Sequence, residues 1–158
     1  MSTKTFSYCM KCNNLNKVAI DKIKLQVPVC GSCGSPLNMH SLVSDIDLKG
    51  LMKMTQKADQ PIVIDFWAPW CGPCKSFGPT FERASHIFGG KIVFVKINTQ
   101  DFPQASGQFN IRGIPTILIY KNGKEVARES GAFPLEQFKN WLQQFVPPTM
   151  HQSNEVLD

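Results

Sequence analysis

Six cysteines are the residues of this sequence whose type and spacing could do chemistry. They form three pairs with two residues between the members of each: Cys9 and Cys12, Cys30 and Cys33, Cys71 and Cys74. In a reducing cytoplasm such pairs serve as metal ligands or redox-active dithiols more often than as structural disulfides. The first residues hold no apolar stretch of the kind a signal peptide needs, so a cytoplasmic location is expected.

The third pair, Cys71 and Cys74, lies in the most apolar part of the chain, between an apolar run at 62–67 and a predicted helix. Unpaired N–H groups and the dipole at a helix N-terminus favour negative charge, so Cys71 should hold a thiolate more readily than a free cysteine. Cys74 follows one turn later, within reach of a disulfide. The sequence predicts that Cys71 attacks a substrate disulfide and that Cys74 resolves the mixed disulfide. Half of a zinc site is the alternative, and it would need further ligands that this region scarcely offers.

A single charged residue, Asp65, interrupts the apolar run before this pair. Burial of an unpaired carboxylate is costly, and the usual response is a raised pKa. A carboxyl of this kind could accept the proton of Cys74 and so activate it. A structural carboxylate paired with Lys96 on the neighbouring strand is the other interpretation, and the residues alone leave both open.

The first two pairs have the spacing of a zinc ribbon, with seventeen residues between Cys12 and Cys30. Two tight turns that each offer two sulfurs make a tetrahedral site suited to one structural Zn²⁺. Gly31 and Gly34 give the second turn its backbone freedom. So short a segment cannot build a sufficient core, and a metal would be its main source of stability. Two disulfides are the alternative.

Composition and charge indicate which classes of protein this chain can and cannot belong to. Apolar residues make up 42% and charged residues 18% of 158 residues, which excludes a disordered chain and suits one domain with a small module. The longest apolar runs have the length of strands, so no membrane span is expected. Residues 1–40 contain five lysines and one aspartate, most of the net charge of +5. Four thiolates and Zn²⁺ would lower that local charge, and the segment lacks arginine, so nucleic-acid binding is not expected.

The elements that must position these cysteines can be predicted from periodicity and turn residues. We expect a small module at 1–38, a main domain at 39–146 and a disordered tail at 147–158. The main domain should contain a helix capped by Ser44 and Asp47 that ends before Pro61, a strand at 62–67, a helix at 73–88 with a kink at Pro79, a strand at 92–97, a short helix at 103–109, a hairpin of 116–120 and 124–130 around Asn122-Gly123, and a helix at 134–145. This order predicts an α/β fold with a central mixed sheet and helices on both faces.

The segment Ile64-Asp-Phe-Trp-Ala-Pro-Trp-Cys-Gly-Pro-Cys-Lys75 closely resembles the active-site signature of the thioredoxin family. The resemblance covers about residues 40–146 and includes Pro79 and the segments 96–98, 111–116, 121–123 and 131–132. Together with the two preceding cysteine pairs, it makes the whole chain similar to the zinc-containing thioredoxin 2 type of bacteria. The implied architecture is a thioredoxin fold preceded by a small zinc-ribbon-like module.

The resemblance also implies roles for individual residues. Cys71 matches the nucleophile, Cys74 the resolving cysteine, Asp65 the carboxyl that assists proton transfer, Lys96 its neighbour, and Pro115 a cis-proline that faces the cysteines. The matching substrate-docking residues are Trp70, Gly72, Pro73, Ile114 and Gly131. Trp67 matches a buried tryptophan, for which core packing is the better interpretation. The dipeptide between the cysteines lacks the histidine of strongly oxidising relatives, which favours a reductase.

The implied function is that of a monomeric protein-disulfide reductase. Its partners would be disulfide-containing proteins, with a thioredoxin reductase as electron donor. A zinc-dependent redox sensor or interaction protein, with the thioredoxin domain as a binding platform, is the alternative. The role of the zinc module, as a cap, a docking surface or a sensor, stays open at this level.

Overall fold

The structure is a computed structural model and describes residues 3–146, so the predicted tail at 147–158 lies outside the described residues. Its strands are β1 (Lys4–Tyr8), β2 (Leu15–Ala19), β3 (Met39–His40), β4 (Val43–Asp45), β5 (Ile62–Trp67), β6 (Val93–Asn98), β7 (Thr116–Lys121) and β8 (Lys124–Ser130). Its helices are α1 (Ile20–Leu25), α2 (Leu48–Lys57), α3 (Gly72–Phe88), α4 (Gln104–Gln108) and α5 (Leu135–Gln143). Within the described part of the chain, no helix is both long and apolar enough to cross a membrane.

A six-stranded mixed sheet forms the centre of the molecule, in the order β3-β4-β6-β5-β7-β8. The inner strands β4, β6 and β5 run parallel, whereas β7 is antiparallel to β5, and β8 to β7. Strand β5 has a partner on each side, and both of its faces are covered, which explains its nearly continuous apolar sequence. The predicted mixed sheet is confirmed.

Helices cover both faces of this sheet, as predicted. A separate hydrophobic core lies on each face of the sheet. Alternate side chains of a strand point to opposite faces, so successive residues of β5 contribute to different cores. Ile64 and Phe66 pack in one core with residues of α2 and α4, and Val63 packs in the other with residues of α3 and α5. The position of Asp65, two residues after Val63, therefore places its side chain on the α3 side of the sheet.

Several predicted elements agree with the structure to within a few residues. Helix α3 is continuous through Pro79 and begins at Gly72, with Cys71 as its N-cap. The hairpin turn uses Asn122 and Gly123, both at positive φ (54° and 79°), as an Asn-Gly turn of type I′ requires. The short helix α4 and the final helix α5 lie within their predicted ranges.

The predicted N-cap of α2 at Ser44 is wrong. Ser44 lies in β4, where it is buried and its hydroxyl donates a hydrogen bond to the hydroxyl of Ser7 (3.2 Å). Because β4 pairs with β6, the chain stays extended past Ser44, and the helix begins later. Asp47 is the N-cap, and its carboxylate accepts the backbone N–H of Gly50 (2.7 Å).

The N-terminal segment packs directly on the main sheet domain, a point the sequence left open. β1 and β2 form an antiparallel pair, and every residue of β1 after Lys4 is buried. Phe6 and Tyr8 belong to the same core as β5 and α2. A Cβ on Gly50 would overlap the ring of Tyr8, so the helix approaches the ring as closely as a glycine allows.

Candidate redox site and cysteine cluster

Cys71 and Cys74 form a disulfide at the N-terminus of α3, with 5.2 Å between their Cα atoms. Helix α3 places Cys74 on its buried face, in line with Phe77 and Phe81. The backbone N–H of Cys74 donates to the Sγ of Cys71 (3.2 Å). Once the disulfide is reduced, this N–H and the helix dipole would stabilise a thiolate at Cys71.

Two loops bring backbone groups to the disulfide. The Ile114–Pro115 peptide bond is cis, as the resemblance implied. The carbonyl oxygen of Ile114 lies 3.7 Å from the Sγ of Cys71. The N–H of Gly131, a residue at φ +96°, donates to the carbonyl of Pro115 (2.8 Å). Ile114, Pro115 and Gly131 are therefore neighbours beside Cys71.

The other predicted docking residues form the exposed rim of the disulfide. Trp70 is 70% exposed, a large value for a tryptophan, and Gly72 and Pro73 are also exposed. Cys71 itself is buried, so a substrate would reach its sulfur across this rim. An exposed aromatic ring beside a reactive group suits binding to another protein.

Asp65 is buried in the sheet, on the face that packs against α3. Burial raises the pKa of its carboxyl to about 7, and the nearby charge of Lys96 opposes that rise. Within residues 3–146, the Oδ1 atom of Asp65 accepts no hydrogen bond. A buried carboxyl with a pKa near neutral can exchange a proton at physiological pH.

Lys96 is paired with Asp65 in the sheet register but makes no ion pair with it among the described residues. Its ammonium group instead lies over the ring of Trp67, 4.7 Å from the centroid. Trp67 is half-buried, so the predicted core packing holds for part of its ring. The alternative of a structural Asp65–Lys96 ion pair thus has no support in the geometry.

The other four cysteines converge in the N-terminal segment. Their Sγ atoms all lie within 4.8 Å of one another, with 3.7 Å between Cys9 and Cys33 and 3.6 Å between Cys12 and Cys30. All four are free, so the alternative of two disulfides is absent from this structure. Sulfurs that bind Zn²⁺ tetrahedrally at about 2.3 Å are separated by about 3.8 Å. The cluster therefore fits a four-thiolate metal site.

Hydrogen-bond donors surround one of these sulfurs. N–H groups of Cys33 and Ser32, followed by the side-chain amide of Asn16, lower the pKa of Cys30 to about 6. The N–H of Ser32 and the Nδ2 of Asn16 lie 3.4 Å and 3.5 Å from its Sγ. Sequence reasoning missed Asn16, because a contact between residues 14 positions apart leaves no spacing pattern.

Comparison with known proteins identifies the family. The family model described as Thioredoxin matches residues 45–144. Thioredoxin of Haemophilus influenzae is 40% identical over 104 residues, which cover 66% of this chain and 94% of the relative. The chloroplastic M-type thioredoxin of Spinacia oleracea is 35% identical over 106 residues, 67% of this chain and 59% of the relative.

A third relative matches more than the sheet domain. Thioredoxin C-3 of Corynebacterium nephridii is 35% identical over 136 residues, 86% of this chain and 92% of the relative. Because few residues follow position 144, this match must include part of the segment before residue 45. The chain is a thiol–disulfide oxidoreductase and belongs to the thioredoxin family.

Proposed function

We propose that this protein is a protein-disulfide reductase whose reacting group is the Cys71–Cys74 dithiol. The observation that carries the proposal is the position of Cys71. It is the N-cap of a long helix, it accepts the N–H of Cys74, and it lies beside the Ile114 carbonyl and an exposed rim. These features favour a thiolate at Cys71 that a substrate disulfide can reach.

The reaction begins when the Cys71 thiolate attacks one sulfur of the substrate disulfide. A bond forms between Cys71 and that sulfur, and the other substrate sulfur leaves as a thiolate. Cys74 then loses its proton and attacks the Sγ of Cys71. The mixed disulfide breaks, the second substrate sulfur leaves as a thiolate, and the Cys71–Cys74 disulfide forms. Two electrons have passed from the dithiol to the substrate.

Asp65 is the proposed acceptor of the Cys74 proton. It is buried on the α3 face of the sheet, and its raised pKa lets it take up a proton near neutral pH. Lys96 tunes this carboxyl through its charge, while its ammonium group rests on Trp67. Asp65 and Lys96 act on the second step, since only Cys71 contacts the substrate sulfur.

The docking surface consists of Trp70, Gly72, Pro73, Ile114 and Gly131. The Ile114 backbone next to the Cys71 sulfur would pair with an extended substrate segment, as in strand addition. Disulfide-containing proteins are the substrates. A thioredoxin reductase returns two electrons to the disulfide, and the protein acts as a monomer in the cytoplasm.

The N-terminal cysteines are proposed to hold one structural Zn²⁺, as in the zinc-containing bacterial type. Cys9, Cys12, Cys30 and Cys33 supply four sulfurs at separations that suit a tetrahedral ion. The ion would cross-link the turn that holds Cys9 and Cys12 with the turn that holds Cys30 and Cys33. We treat 1–38 as the zinc module and 39–146 as the redox domain, with Phe6 and Tyr8 packed between them.

Trapping of the mixed disulfide tests the proposed reaction. A Cys74→Ser variant should accumulate one covalently bound substrate per chain, because the resolving thiol is missing. The matched variant Cys71→Ser should trap none. Equal trapping by both variants, or trapping at Cys33, would refute the assignment of Cys71 as the nucleophile.

The sensor function is the second candidate, because the cysteine cluster is coupled to the main core. The hydroxyl of Tyr8 donates to the side chain of Asn13 (2.7 Å), and the Lys53 ammonium donates to the Asn13 carbonyl (2.8 Å). Asn13 follows Cys12, so oxidation that releases a metal would disturb these contacts. A sensor predicts zinc release by mild oxidant at a rate comparable to oxidation of Cys71 and Cys74.

A further inference from the structure

A cleft of about 310 Å³ lies next to the proposed docking surface. Its lining comes from the end of β8, the connection to α5, and α5 itself: Glu129, Ser130, Gly131, Ala132, Phe133, Gln137 and Trp141. This volume is at the lower end of the range for pockets that bind small molecules. It suits a single large side chain.

The cleft is continuous with the redox site through Gly131. This glycine lines the cleft, and its N–H bonds the carbonyl of cis-Pro115. The preceding residue, Ile114, has its carbonyl against the Cys71 sulfur. A Cβ placed on Gly131 would meet no atom within 4 Å, so the space beside this glycine is open. A substrate segment that pairs with the 114–115 backbone beside Cys71 would therefore pass next to Gly131 and the cleft.

Two aromatic rings that the core holds in place form the apolar wall. The ring of Phe133 stacks on the buried ring of Phe77 (5.8 Å between centroids, 6° between planes). The ring of Trp141 contacts Phe133 at 5.5 Å in an edge-to-face arrangement. Both residues are only half-buried, and both border the cleft. Rings fixed in this way can bind an apolar group at little conformational cost.

We propose that this cleft is a specificity subsite for the substrate. It takes one large apolar side chain, preferably aromatic, from the substrate segment that carries the reacting cysteine. The proposal rests on the proposed reductase function and on the continuity of the cleft with the docking surface. Gln137 and Glu129 lie at its polar border, where they bind amide or basic groups of the same segment.

The test uses cysteine peptides linked by a disulfide to 2-nitro-5-thiobenzoate. Each peptide carries either Phe or Ser at one of the four positions on each side of its cysteine. The Cys71 thiolate of pre-reduced protein attacks the peptide sulfur and releases the coloured thiolate, and Cys74 then releases the peptide. The measured quantity is the second-order rate constant for colour release in a single turnover. For at least one position, we expect Phe to react about tenfold faster than Ser.

A variant that fills the cleft provides the decisive comparison. Gln137→Trp adds a ring at the cleft border without removing a core side chain, because Gln137 is exposed. It should lower the Phe-to-Ser rate ratio to about one. Gln143→Trp adds the same ring to α5 at an exposed position outside the cleft and should keep the ratio of the wild type.

Each other outcome overturns the proposal. If the wild-type protein releases no colour from any peptide, the reductase function and the subsite both fail. If it reduces Phe and Ser peptides equally at every position, the reductase function stands and the subsite fails. A ratio that Gln137→Trp leaves intact also refutes the subsite. So does a dimer of the wild type that Gln137→Trp dissociates, since a second copy would then occupy the cleft.

Discussion

The cysteine pair at 71 and 74 and the two pairs of the N-terminal cluster share one spacing but have different surroundings. Cys71 is the N-cap of a long helix and Cys74 lies in its first turn, and the four other cysteines of the described residues cluster elsewhere. Each N-terminal pair lies in a turn that faces the other pair, so four sulfurs meet. An isolated dithiol can close only on itself or on a substrate, whereas four sulfurs can share a metal ion. The two sites therefore differ in the number of converging sulfurs and not in the motif.

Matched serine substitutions give the sharpest test of this comparison. Cys71→Ser should lower the rate of disulfide reduction at least about a thousandfold, because the nucleophile is lost. It should leave the zinc content and the fold unchanged. Cys33→Ser should have the opposite pattern: the protein should lose zinc and still reduce disulfides. Insulin reduction and metal analysis check both. Disulfide reduction retained by Cys71→Ser would contradict the mechanism.

Metal removal should act through the N-terminal cysteine cluster and lower the stability of the segment that packs on the sheet domain. Reduced native protein purified without oxygen should contain about one zinc per chain and show two fast-reacting thiols. Because binding energy of a structural metal is folding energy, chelation should lower the melting temperature by roughly 10 °C or more. It should also expose four additional thiols. Absence of zinc together with four or more fast-reacting thiols would favour the sensor function over a structural role for the cluster.

The buried carboxyl of Asp65 predicts a pH-dependent gain in stability for a variant that lacks its charge. The pKa of Asp65 is about 7 in the native protein and near 3.8 in the unfolded chain. Between these values the unfolded chain releases a proton that the native state retains, so wild-type stability falls as pH rises from about 4 to 7. Asp65→Asn removes this loss. We expect it to stabilise the oxidised protein by up to about 4 kcal/mol at pH 8 and by little at pH 4.

Denaturant unfolding at both pH values measures this effect. Asp101→Asn, at an exposed position, is the control and should change stability by less than about 0.5 kcal/mol. A gain for Asp65→Asn that is equal at pH 4 and pH 8 would mean that ionisation of Asp65 is not its cause.

Packing between the two regions predicts the smallest effect. Gly50→Ala puts a methyl group into the space of the Tyr8 ring and should cost about 1–3 kcal/mol in the free energy of unfolding. Gly78→Ala is the control within α3, where a Cβ meets no atom within 4 Å, and it should stabilise by up to about 1 kcal/mol. In a Tyr8→Ala background, Gly50→Ala should lose most of its cost. An unchanged cost would place the clash elsewhere.

The sequence alone predicted the features that depend on neighbouring residues. The apolar run of β5, the Asn122-Gly123 turn, the Cys71 N-cap position and the helical pattern of α5 are all local signals. The resemblance implied the cis bond before Pro115, which the structure shows. It also favoured a proton-transfer role for Asp65 with Lys96 as its neighbour, and that role stays a prediction. The sequence left open whether Asp65 forms an ion pair with Lys96. A lysine on the neighbouring strand can turn toward the carboxyl or toward an aromatic ring, and Lys96 lies over the ring of Trp67.

Only the tertiary structure decided how distant segments meet. Strand β4 is three residues long and gains its stability from pairing with β6, so periodicity missed it and misplaced the cap at Ser44. The packing of Tyr8 on Gly50 joins residues 42 positions apart and leaves no pattern in either segment. The aromatic cleft likewise depends on β8, its connection to α5, and Phe77 of α3 coming together. Local sequence sets the propensity of each element, whereas burial of shared surface sets their arrangement. That arrangement leaves one cysteine pair by itself at a helix N-terminus and brings the other two pairs together.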